Sequence, residues 1–232
     1  MSTDEEHLTS ASGRAFWQLD SIGQKYDTDK VSTLHDFLSF YDRRLSHLRQ
    51  MSFTLMEIGV LRGGSVKTWS EYFPNARIVG LDINAECKQH ENENISIRIG
   101  DASDPNFMFD VISEFGKPLV LIDDGSHRWD HQIFCLQLLF PLLLPGGYYI
   151  MEDIDTSFQE HLEKAPFDGT STISAVDYLN KLARCMIGER ALKDEKPFDL
   201  FIERSSTQIG TIELGRRTSV ISKKITPGGG PI

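Results

Sequence analysis

Short apolar runs alternate with segments of helical spacing over most of the chain. Five runs read as strands and cover residues 53–60, 76–83, 96–100, 119–123 and 147–153. The helical segments cover residues 63–73, a stretch opened by Asp104 and Pro105, residues 130–140, and residues 174–187 with Ser174 as cap and Gly188 as stop. Near-continuous apolar strands separated by helices indicate a parallel sheet that helices cover on both faces.

The two ends of the chain depart from this alternation. Residues 17–50 carry helical spacing, in Leu34, Phe37, Leu38, Tyr41, Leu45 and Leu48. Residues 207–214 and 218–224 flank a Gly-Arg-Arg turn and predict an antiparallel hairpin. Residues 197–205 fit either a strand or a helix. We therefore expect an α/β domain with a helical segment before it and a hairpin at its end.

Composition narrows the function classes. The formal net charge of −10 argues against a nucleic-acid partner, because phosphate contact needs a basic face. The three cysteines lie far apart and lack a C-x-x-C spacing, so we expect reduced thiols and a cytoplasmic protein. The acidic N-terminus is not typical of a targeting peptide, and the most apolar run, residues 133–144, is too short to cross a bilayer. No membrane partner is expected.

The first strand-to-helix loop, EIGVLRGGS, predicts a ligand site. Gly59, Gly63 and Gly64 allow a tight turn and a close approach of a ligand. Ser65 and the start of the helix offer N–H groups to a carboxylate or phosphate. Glycines alone are equally typical of an ordinary strand-to-helix turn, so this loop does not identify the ligand by itself.

Three acidic residues at the ends of three strands narrow the choice. Asp82 ends the second strand, where it suits two ribose hydroxyls, and Asp101 follows the third, where an adenine amino group could be met. Glu57 would repel a pyrophosphate but would attract an ammonium group. A ligand with an amine, a carboxylate and a ribose is S-adenosylmethionine (SAM), and we predict it as the cofactor.

A second acidic group predicts a metal site. Asp124 follows the fourth strand, and Glu152 and Asp153 end the fifth, which should be its neighbour in the sheet. Three unpaired carboxylates do not share a pocket cheaply, and no Arg or Lys flanks Glu152 in the sequence. A divalent cation is the simplest counter-charge, and oxygen ligands favour Mg²⁺ over Mn²⁺ or Ca²⁺.

The histidines beside this group admit two interpretations. His127 lies on the same loop as Asp124 and is a candidate general base, because the pKa of histidine is near neutral. The alternative is that Asp124 and Asp130 cap the following helix while His127 and His131 bond to backbone. This alternative is favoured for Asp130 and His131, and function is favoured for Asp124 and His127. No G-x-S-x-G elbow indicates a serine hydrolase.

Several motifs together resemble a known family. They are TDK (28–30), EIGVLRGGS, YFPNARIVGLDI, GD (100–101), IDDGSH (122–127), HQ (131–132), LFPLLLPGGYYIMED and DTS (155–157). The chain resembles, over about residues 19–158, the metal-dependent sugar O-methyltransferases of macrolide and aromatic polyketide antibiotic pathways, of the mycinamicin and macrocin type. Phe37, Phe158 and Ala102 depart from that family's usual Tyr, Tyr and Gln, which bears on the acceptor.

The resemblance implies a Rossmann-like class I methyltransferase fold, SAM as methyl donor and Mg²⁺ gripping two sugar hydroxyls. It implies His127 as base and Asp124, Glu152 and Asp153 as metal ligands. The expected organisation is a disordered N-terminus (1–12), a helical segment covering the cofactor site (13–50), the methyltransferase domain (51–226) and a flexible tail (227–232). The expected partner is a small-molecule glycoside, and a homo-oligomer is expected. The alternatives are a catechol-type or hydroxylase-like relative with the same metal site, and a non-catalytic SAM-binding partner protein.

Overall fold

A single seven-stranded sheet organises the protein. The structure is a computed structural model that describes residues 18–189 and 199–225. The strands are β1 (Thr54–Ile58), β2 (Arg77–Asp82), β3 (Ile95–Ile99), β4 (Val120–Asp123), β5 (Tyr148–Met151), β6 (Ile209–Leu214) and β7 (Ser219–Lys223). Their order is β3-β2-β1-β4-β5-β7-β6. The first five are parallel, and β7 runs antiparallel to both β5 and β6. The predicted parallel sheet with a C-terminal antiparallel hairpin is confirmed.

The helices follow the strands as the spacing predicts. They are α1 (Gln18–Lys25), α2 (Leu38–Leu45), α3 (Gly64–Tyr72), α4 (Pro105–Phe115), α5 (Trp129–Leu139), α6 (Gln159–Leu162), α7 (Ala175–Met186) and α8 (Leu200–Ser205). Asp104 caps α4 by accepting from the Asn106 N–H, and Ser174 caps α7. The ambiguous segment is a helix at residues 200–205, because the Asp199 side chain accepts two N–H groups of its first turn.

Each face of the sheet has its own apolar core. Trp69 and Tyr41 are fully buried on the face that α1, α2 and α3 cover. Leu136 and Leu179, from α5 and α7, are buried on the opposite face. Burial of one large apolar side chain stabilises a fold by about 1.5–3 kcal/mol. Because both faces are covered, the strand ends are where polar side chains can gather.

The N-terminal helical spacing is interrupted in the structure. Turns join α1 to α2 across residues 26–37, and Leu34, part of the apolar pattern, is 60% exposed. Asp27 and Asp36 have left-handed φ angles of 55° and 59°, which a continuing helix excludes. Buried Asp20 accepts the Ser32 N–H at 2.6 Å and ties the turn back to α1. The turn thereby directs residue 30 toward the sheet.

Some predictions fall outside the described residues, among them disorder at residues 1–12 and a flexible tail at 227–232. The division into a covering segment and a main domain stays a prediction. Within residues 18–189 and 199–225, no helix combines the length and apolar character needed to cross a membrane.

Candidate functional site

The predicted site residues gather at one edge of the sheet. Ile58 at the end of β1 lies beside Leu81 of β2 and Asp123 of β4. The ends of β4 and β5 are also neighbours, with Asp123 opposite Met151. Every candidate residue is within seven positions of one of these strand ends, or of the end of β3. Parallel strands therefore bring together segments that lie far apart in the sequence.

Two cavities open at this edge. The larger has a volume of about 330 Å³ and is lined by Gly59, Asp82, Asp101, Asp123, Ser126 and His131, among others. The smaller, of about 130 Å³, is lined by residues that include Thr28, Lys30, Gly59, Gly64, Ser65 and Asp124. Gly59 lines both cavities. Asp82 and Asp101, the residues predicted to bind a nucleoside, therefore both line the larger cavity.

Backbone groups of neighbouring loops hold Asp82. One carboxylate oxygen accepts the Val60 and Leu61 N–H groups at 2.9 and 3.1 Å, and the other accepts the Asn84 N–H at 2.8 Å. Burial acts to raise the pKa of Asp82, but these three N–H groups outweigh it and lower the pKa. Asp82 is therefore an ionised acceptor at neutral pH.

Asp101 is held in a similar way within its own loop. Its Oδ1 accepts from the Ser103 hydroxyl at 2.7 Å and the Ser103 N–H at 2.8 Å. These bonds lower the pKa of Asp101. Asp82 and Asp101, two of the three acids that line the larger cavity, thus carry negative charge in fixed orientations.

Glu57 differs from these two acids because it is fully buried. Its Oε2 accepts from the Ser65 hydroxyl at 2.8 Å, while its Oε1 has no hydrogen-bond partner and lies 3.8 Å from the Lys30 ammonium. Burial raises the pKa of Glu57 to about 7, although Lys30 opposes the shift. A buried carboxylate oxygen without a partner suits the ammonium-binding role predicted for Glu57.

The glycines of the first loop face protein atoms. Gly59 and Gly63 have φ angles of 92° and 75°, so the predicted tight turn is present. A Cβ at Gly59 would overlap the Asp124 carbonyl oxygen, and one at Gly64 would lie 2.9 Å from the carbonyl oxygen of Tyr26. A Cβ at Gly63 would lie 2.5 Å from the His90 ring. The missing side chains therefore let three other chain segments approach this loop.

Asp124, His127 and Asp153 form a group that could hold a metal ion. Each offers one ligand atom, and these atoms lie within 4.8 Å of one another. His127 Nε2 is 3.7 Å from Asp153 Oδ2, and His127 Nδ1 is buried without a hydrogen-bond partner. Two of the three predicted ligands are thus beside the predicted base.

Glu152 lies in a different environment. Its carboxylate is fully buried, accepts from the Lys30 ammonium at 2.5 Å, and accepts from the Tyr41 hydroxyl at 3.0 Å. Lys30 also contacts Asp124 and is itself 1% exposed. Burial acts to lower the pKa of Lys30, but Asp124, Glu152 and Glu57 together raise it well above its usual value. The ammonium is therefore charged.

Lys30 corrects one step of the sequence analysis. The absence of an Arg or Lys flanking Glu152 in the sequence was an argument for a divalent cation. That argument is wrong, because Lys30 contacts Glu152 in the folded protein. Lys30 is 122 positions from Glu152 along the chain, so no local pattern pointed to the pair. The TDK motif contained the residue but gave no reason to place it at this edge of the sheet.

Arg217 is a second residue that the sequence analysis missed. It lies in the turn between β6 and β7, where its Nη2 donates to Asp153 at 2.5 Å and its Nε lies 2.9 Å from Asp155. His127, Asp153 and Arg217 all have left-handed φ angles, of 56°, 51° and 61°. Such strain in residues other than glycine gathers at functional sites.

The structure bears on the helix-cap interpretation. The N-cap of α5 is Arg128 and has no side-chain cap, while Asp130 Oδ1 accepts the His131 N–H of the first turn at 3.0 Å. Asp130 bonds to the side chains of Arg128 and Thr170. His131 Nδ1 lies 2.9 Å from the Ser126 hydroxyl. Asp130 and His131 thus make local contacts outside the Asp124, His127 and Asp153 group.

The two aromatic residues that depart from the family pattern, Phe37 and Phe158, differ in burial. Phe37 is fully buried in the core, whereas Phe158 is 52% exposed beyond the end of β5. Ala102 lines the larger cavity. Of the two rings, Phe158 alone is open to a ligand at the surface.

Known proteins share this sequence and this fold. The chain is 28% identical to 8-demethyl-8-alpha-L-rhamnosyl tetracenomycin-C 2'-O-methyltransferase of Streptomyces olivaceus, over 98% of this chain and 60% of that protein. It is 36% identical to mycinamicin VI 2''-O-methyltransferase of Micromonospora griseorubida, over 60% of this chain and 37% of that protein. No protein-family model matches the chain.

A solved structure agrees with these relatives. MycE methyltransferase from the mycinamycin biosynthetic pathway, in complex with Mg and SAH, matches with a TM-score of 0.75 at 26% identity, covering 92% of this chain and 56% of that one. The chain spans about 60% or less of the length of each of these proteins. The predicted resemblance is confirmed: this chain has the class I methyltransferase fold and is similar to sugar O-methyltransferases of macrolide and polyketide antibiotic pathways.

Proposed function

We propose that this protein transfers a methyl group from SAM to a hydroxyl of a sugar on a glycosylated natural product, with the help of a divalent cation. The observation that carries the proposal is the group of Asp124, His127 and Asp153, which lies at the same sheet edge as a cavity flanked by two ionised acids. The relatives supply the acceptor class, since their names specify rhamnosyl and mycinamicin substrates.

The charges of the donor pocket suit SAM. Asp82 accepts three N–H groups and keeps about one acceptor site for a ribose hydroxyl, because a carboxylate can accept about four hydrogen bonds. Asp101 would meet the adenine amino group, and the free Oε1 of Glu57 would meet the ammonium. Gly59, Gly63, Gly64 and Ser65 would shape the loop at the start of α3. Bound SAM supplies a methyl group on a sulfonium, which is strongly electrophilic.

The metal site fits a hard divalent ion. Asp124 and Asp153 offer carboxylate oxygens within 4.8 Å of a ring nitrogen of His127, and oxygen-rich sites favour Mg²⁺. Glu152, the third predicted ligand, would join them only by exchanging the Lys30 ammonium for the ion. A bound divalent cation supplies Lewis-acid polarisation and lowers the pKa of a hydroxyl that it contacts.

In this proposal His127 acts as the general base. Its carbonyl accepts from the Thr156 hydroxyl at 3.0 Å, which holds the loop. The acceptor hydroxyl would give its proton to the His127 ring. The oxygen would then form a bond to the methyl carbon as the carbon–sulfur bond breaks. Alignment of the three atoms is the remaining requirement.

An acceptor screen tests this proposal. The purified protein is incubated with SAM and Mg²⁺ and with one of two acceptors, 8-demethyl-8-alpha-L-rhamnosyl tetracenomycin C or a simple catechol, and mass spectrometry detects a gain of one methylene. We expect methylation of the glycoside and none of the catechol. Transfer to the catechol alone would favour the catechol-type alternative. SAM binding without transfer to any acceptor would favour a non-catalytic partner protein.

A further inference from the structure

Lys30 enters the site from outside the strand-and-helix repeat. It lies in the turn between α1 and α2, where its carbonyl accepts the N–H groups of Phe37 and Leu38 at 3.0 and 3.2 Å. The same turn passes over Gly64, whose missing side chain leaves room for the Tyr26 and Thr28 backbone. Backbone contacts therefore fix the turn, and the Lys30 side chain extends from it to the sheet edge.

The Lys30 ammonium lies between the two halves of the proposed site. It contacts Asp124, lies 2.5 Å from Glu152, and is 3.8 Å from Glu57. Asp124 belongs to the metal group, and Glu57 is the residue proposed above to bind the ammonium of the donor. Lys30 is thus the described residue whose charged end lies within 4 Å of acidic groups of both halves.

Asp124 depends on Lys30 for its orientation. Its backbone is fixed, because its N–H donates to the Ile58 carbonyl at 2.9 Å and its own carbonyl lies against Gly59. Its side chain is 22% exposed, and the Lys30 ammonium contacts its Oδ2. No hydrogen bond of the described residues uses the other oxygen, Oδ1. Lys30 therefore fixes one oxygen of Asp124 and leaves the other available to a cation.

We propose that Lys30 is a positioning residue that holds Asp124 in place beside His127 and Asp153. The inference rests on the proposed function, because it concerns the metal site named there. The opposite role would be competition, in which Lys30 occupies carboxylates that the ion needs. Positioning is favoured because Lys30 is 1% exposed and because Glu152, with Tyr41 behind it, holds the ammonium independently of Asp124.

Direct metal binding separates the two roles. Mn²⁺ is titrated into the full chain and followed by electron paramagnetic resonance, first for the natural protein and then for Lys30→Met, which keeps the length of the side chain and removes its charge. Loss of a charge-assisted hydrogen bond that orients a ligand should weaken Mn²⁺ binding by about tenfold to a hundredfold. SAH affinity, measured by calorimetry, should change less, because Glu57 keeps Ser65 as its donor.

Lys25→Met is the matched control. Lys25 lies five positions earlier and pairs with Glu71 at the surface, with side-chain exposures of 59% and 37%. The Lys25→Met variant should have the same Mn²⁺ affinity as the natural protein. A lower melting temperature for Lys30→Met with unaltered Mn²⁺ affinity would make Lys30 merely structural and overturn the proposal. Tighter Mn²⁺ binding would show competition and overturn it as well.

A second pair of variants, in which Glu152 is also neutral, keeps the test valid if Lys30→Met alone does not fold. Lys30→Met leaves Glu152 buried with only Tyr41, so the comparison is repeated with Glu152→Gln and with Lys30→Met/Glu152→Gln. The double variant should bind Mn²⁺ at least about tenfold more weakly than Glu152→Gln alone, since Asp124 has lost its partner in the double variant only. Equal affinities in this pair would overturn the positioning role.

The result is separable from the proposed function. A natural protein that binds Mn²⁺ but methylates no glycoside would refute the proposed function, while the Lys30 comparison would still decide its own question. A natural protein that binds no Mn²⁺ would refute both. Methyl transfer that is unaffected in Lys30→Met, with the same Mn²⁺ activation constant as the natural protein, would refute the positioning role alone.

Discussion

The two halves of the sheet edge hold their carboxylates by different means. At the ends of β2 and β3, Asp82 and Asp101 accept N–H and hydroxyl groups from nearby loops, and their pKa values are lowered. At the ends of β4 and β5, Glu152 and Asp153 are buried, and their counter-charges, Lys30 and Arg217, come from distant parts of the chain. The donor half is therefore locally specified, and the metal half is assembled by the whole fold.

This contrast predicts how each half responds to change. Burial raises the pKa of Asp153, with His127 and Arg217 acting against it. Its backbone and that of His127 are both left-handed, which costs about 1–3 kcal/mol for each such residue. Backbone strain and buried charge both lower the stability of the fold, and both occur in the metal half. Variants there should change catalysis, whereas variants in the donor half should change cofactor affinity.

The largest effect should come from removing the metal. EDTA should abolish methyl transfer, and Asp124→Asn should lower it by about a thousandfold or more, since a Lewis acid contributes several kcal/mol to such reactions. SAH should still bind with its usual affinity, because Glu57 and Asp82 hold it without the ion. Turnover is followed by mass spectrometry and SAH binding by calorimetry.

The control for Asp124→Asn is Asp130→Asn. Asp130 lies six positions later and bonds to Arg128 and Thr170 outside the metal group. It should retain methyl transfer. Full activity of the natural protein in metal-free buffer would rule out the metal, and an equal loss in both variants would show a general disturbance of the loop.

His127 should give the next largest effect. His127→Asn is preferable to alanine because asparagine tolerates a φ of 56°. Loss of a general base lowers rates by about 10²–10⁴, and we expect the lower half of this range because the cation already acidifies the hydroxyl. SAH and Mn²⁺ should still bind, and the variant's turnover should shift toward higher pH.

His131→Asn tests the assignment of the base within the same loop. His131 bonds to Ser126 and lines the larger cavity, so a small effect on SAH affinity is expected and little on the rate at saturating SAM. An equal rate loss in this variant, with His127→Asn active, would transfer the base role to His131. Loss of Mn²⁺ binding in His127→Asn would instead identify His127 as a metal ligand.

Asp82 tests the donor half. Asp82→Asn should weaken SAH binding by about tenfold to a hundredfold, because charge-assisted hydrogen bonds contribute roughly 1.5–3 kcal/mol. Mn²⁺ affinity should stay the same, since Asp82 makes no contact with the metal group. An equal loss of Mn²⁺ affinity would contradict the division into two halves, and binding of NAD in place of SAM would contradict the role of Glu57.

The contacts that fix Asp82 and Asp101 are easier to predict from sequence than those of the metal half, for a physical reason. Asp82 and Asp101 are fixed by neighbours within a few positions or by the adjacent strand, so strand ends and loop composition were sufficient. The alternation of strands and helices likewise predicted the sheet, and Asp104 and Ser174 predicted two helix starts. These features depend on local backbone preferences.

The metal half depended on tertiary contacts that no local pattern encodes. Lys30 is 122 positions from Glu152 and Arg217 is 64 from Asp153, and each pair meets only after the sheet has formed. The glycines of the first loop show the same limit. Their spacing predicted a turn, but only the fold shows that Gly64 admits the Tyr26 backbone.

The smallest effect concerns pH and Glu57. Burial raises the pKa of this carboxyl to about 7, so below that pH Glu57 holds a proton and attracts an ammonium group only weakly. SAH affinity should therefore increase as pH rises from about 6 to about 8, by at most about tenfold, which is the change in the ionised fraction over that interval. Glu57→Gln keeps the shape and cannot ionise, so its SAH affinity should be lower and nearly independent of pH.

Unfolding supplies the second measurement. A carboxyl with a raised folded pKa stabilises the protein at low pH, and this contribution is lost as pH rises toward about 7, so Glu57→Gln should flatten that part of the stability profile. His127→Asn and His131→Asn serve as controls, because each removes a histidine from the same sheet edge, and both should keep the pH dependence of SAH binding. If Glu57→Gln retains the full slope while His131→Asn loses it, the ammonium of the ligand is not held by Glu57, and the donor half must be oriented differently within the cavity.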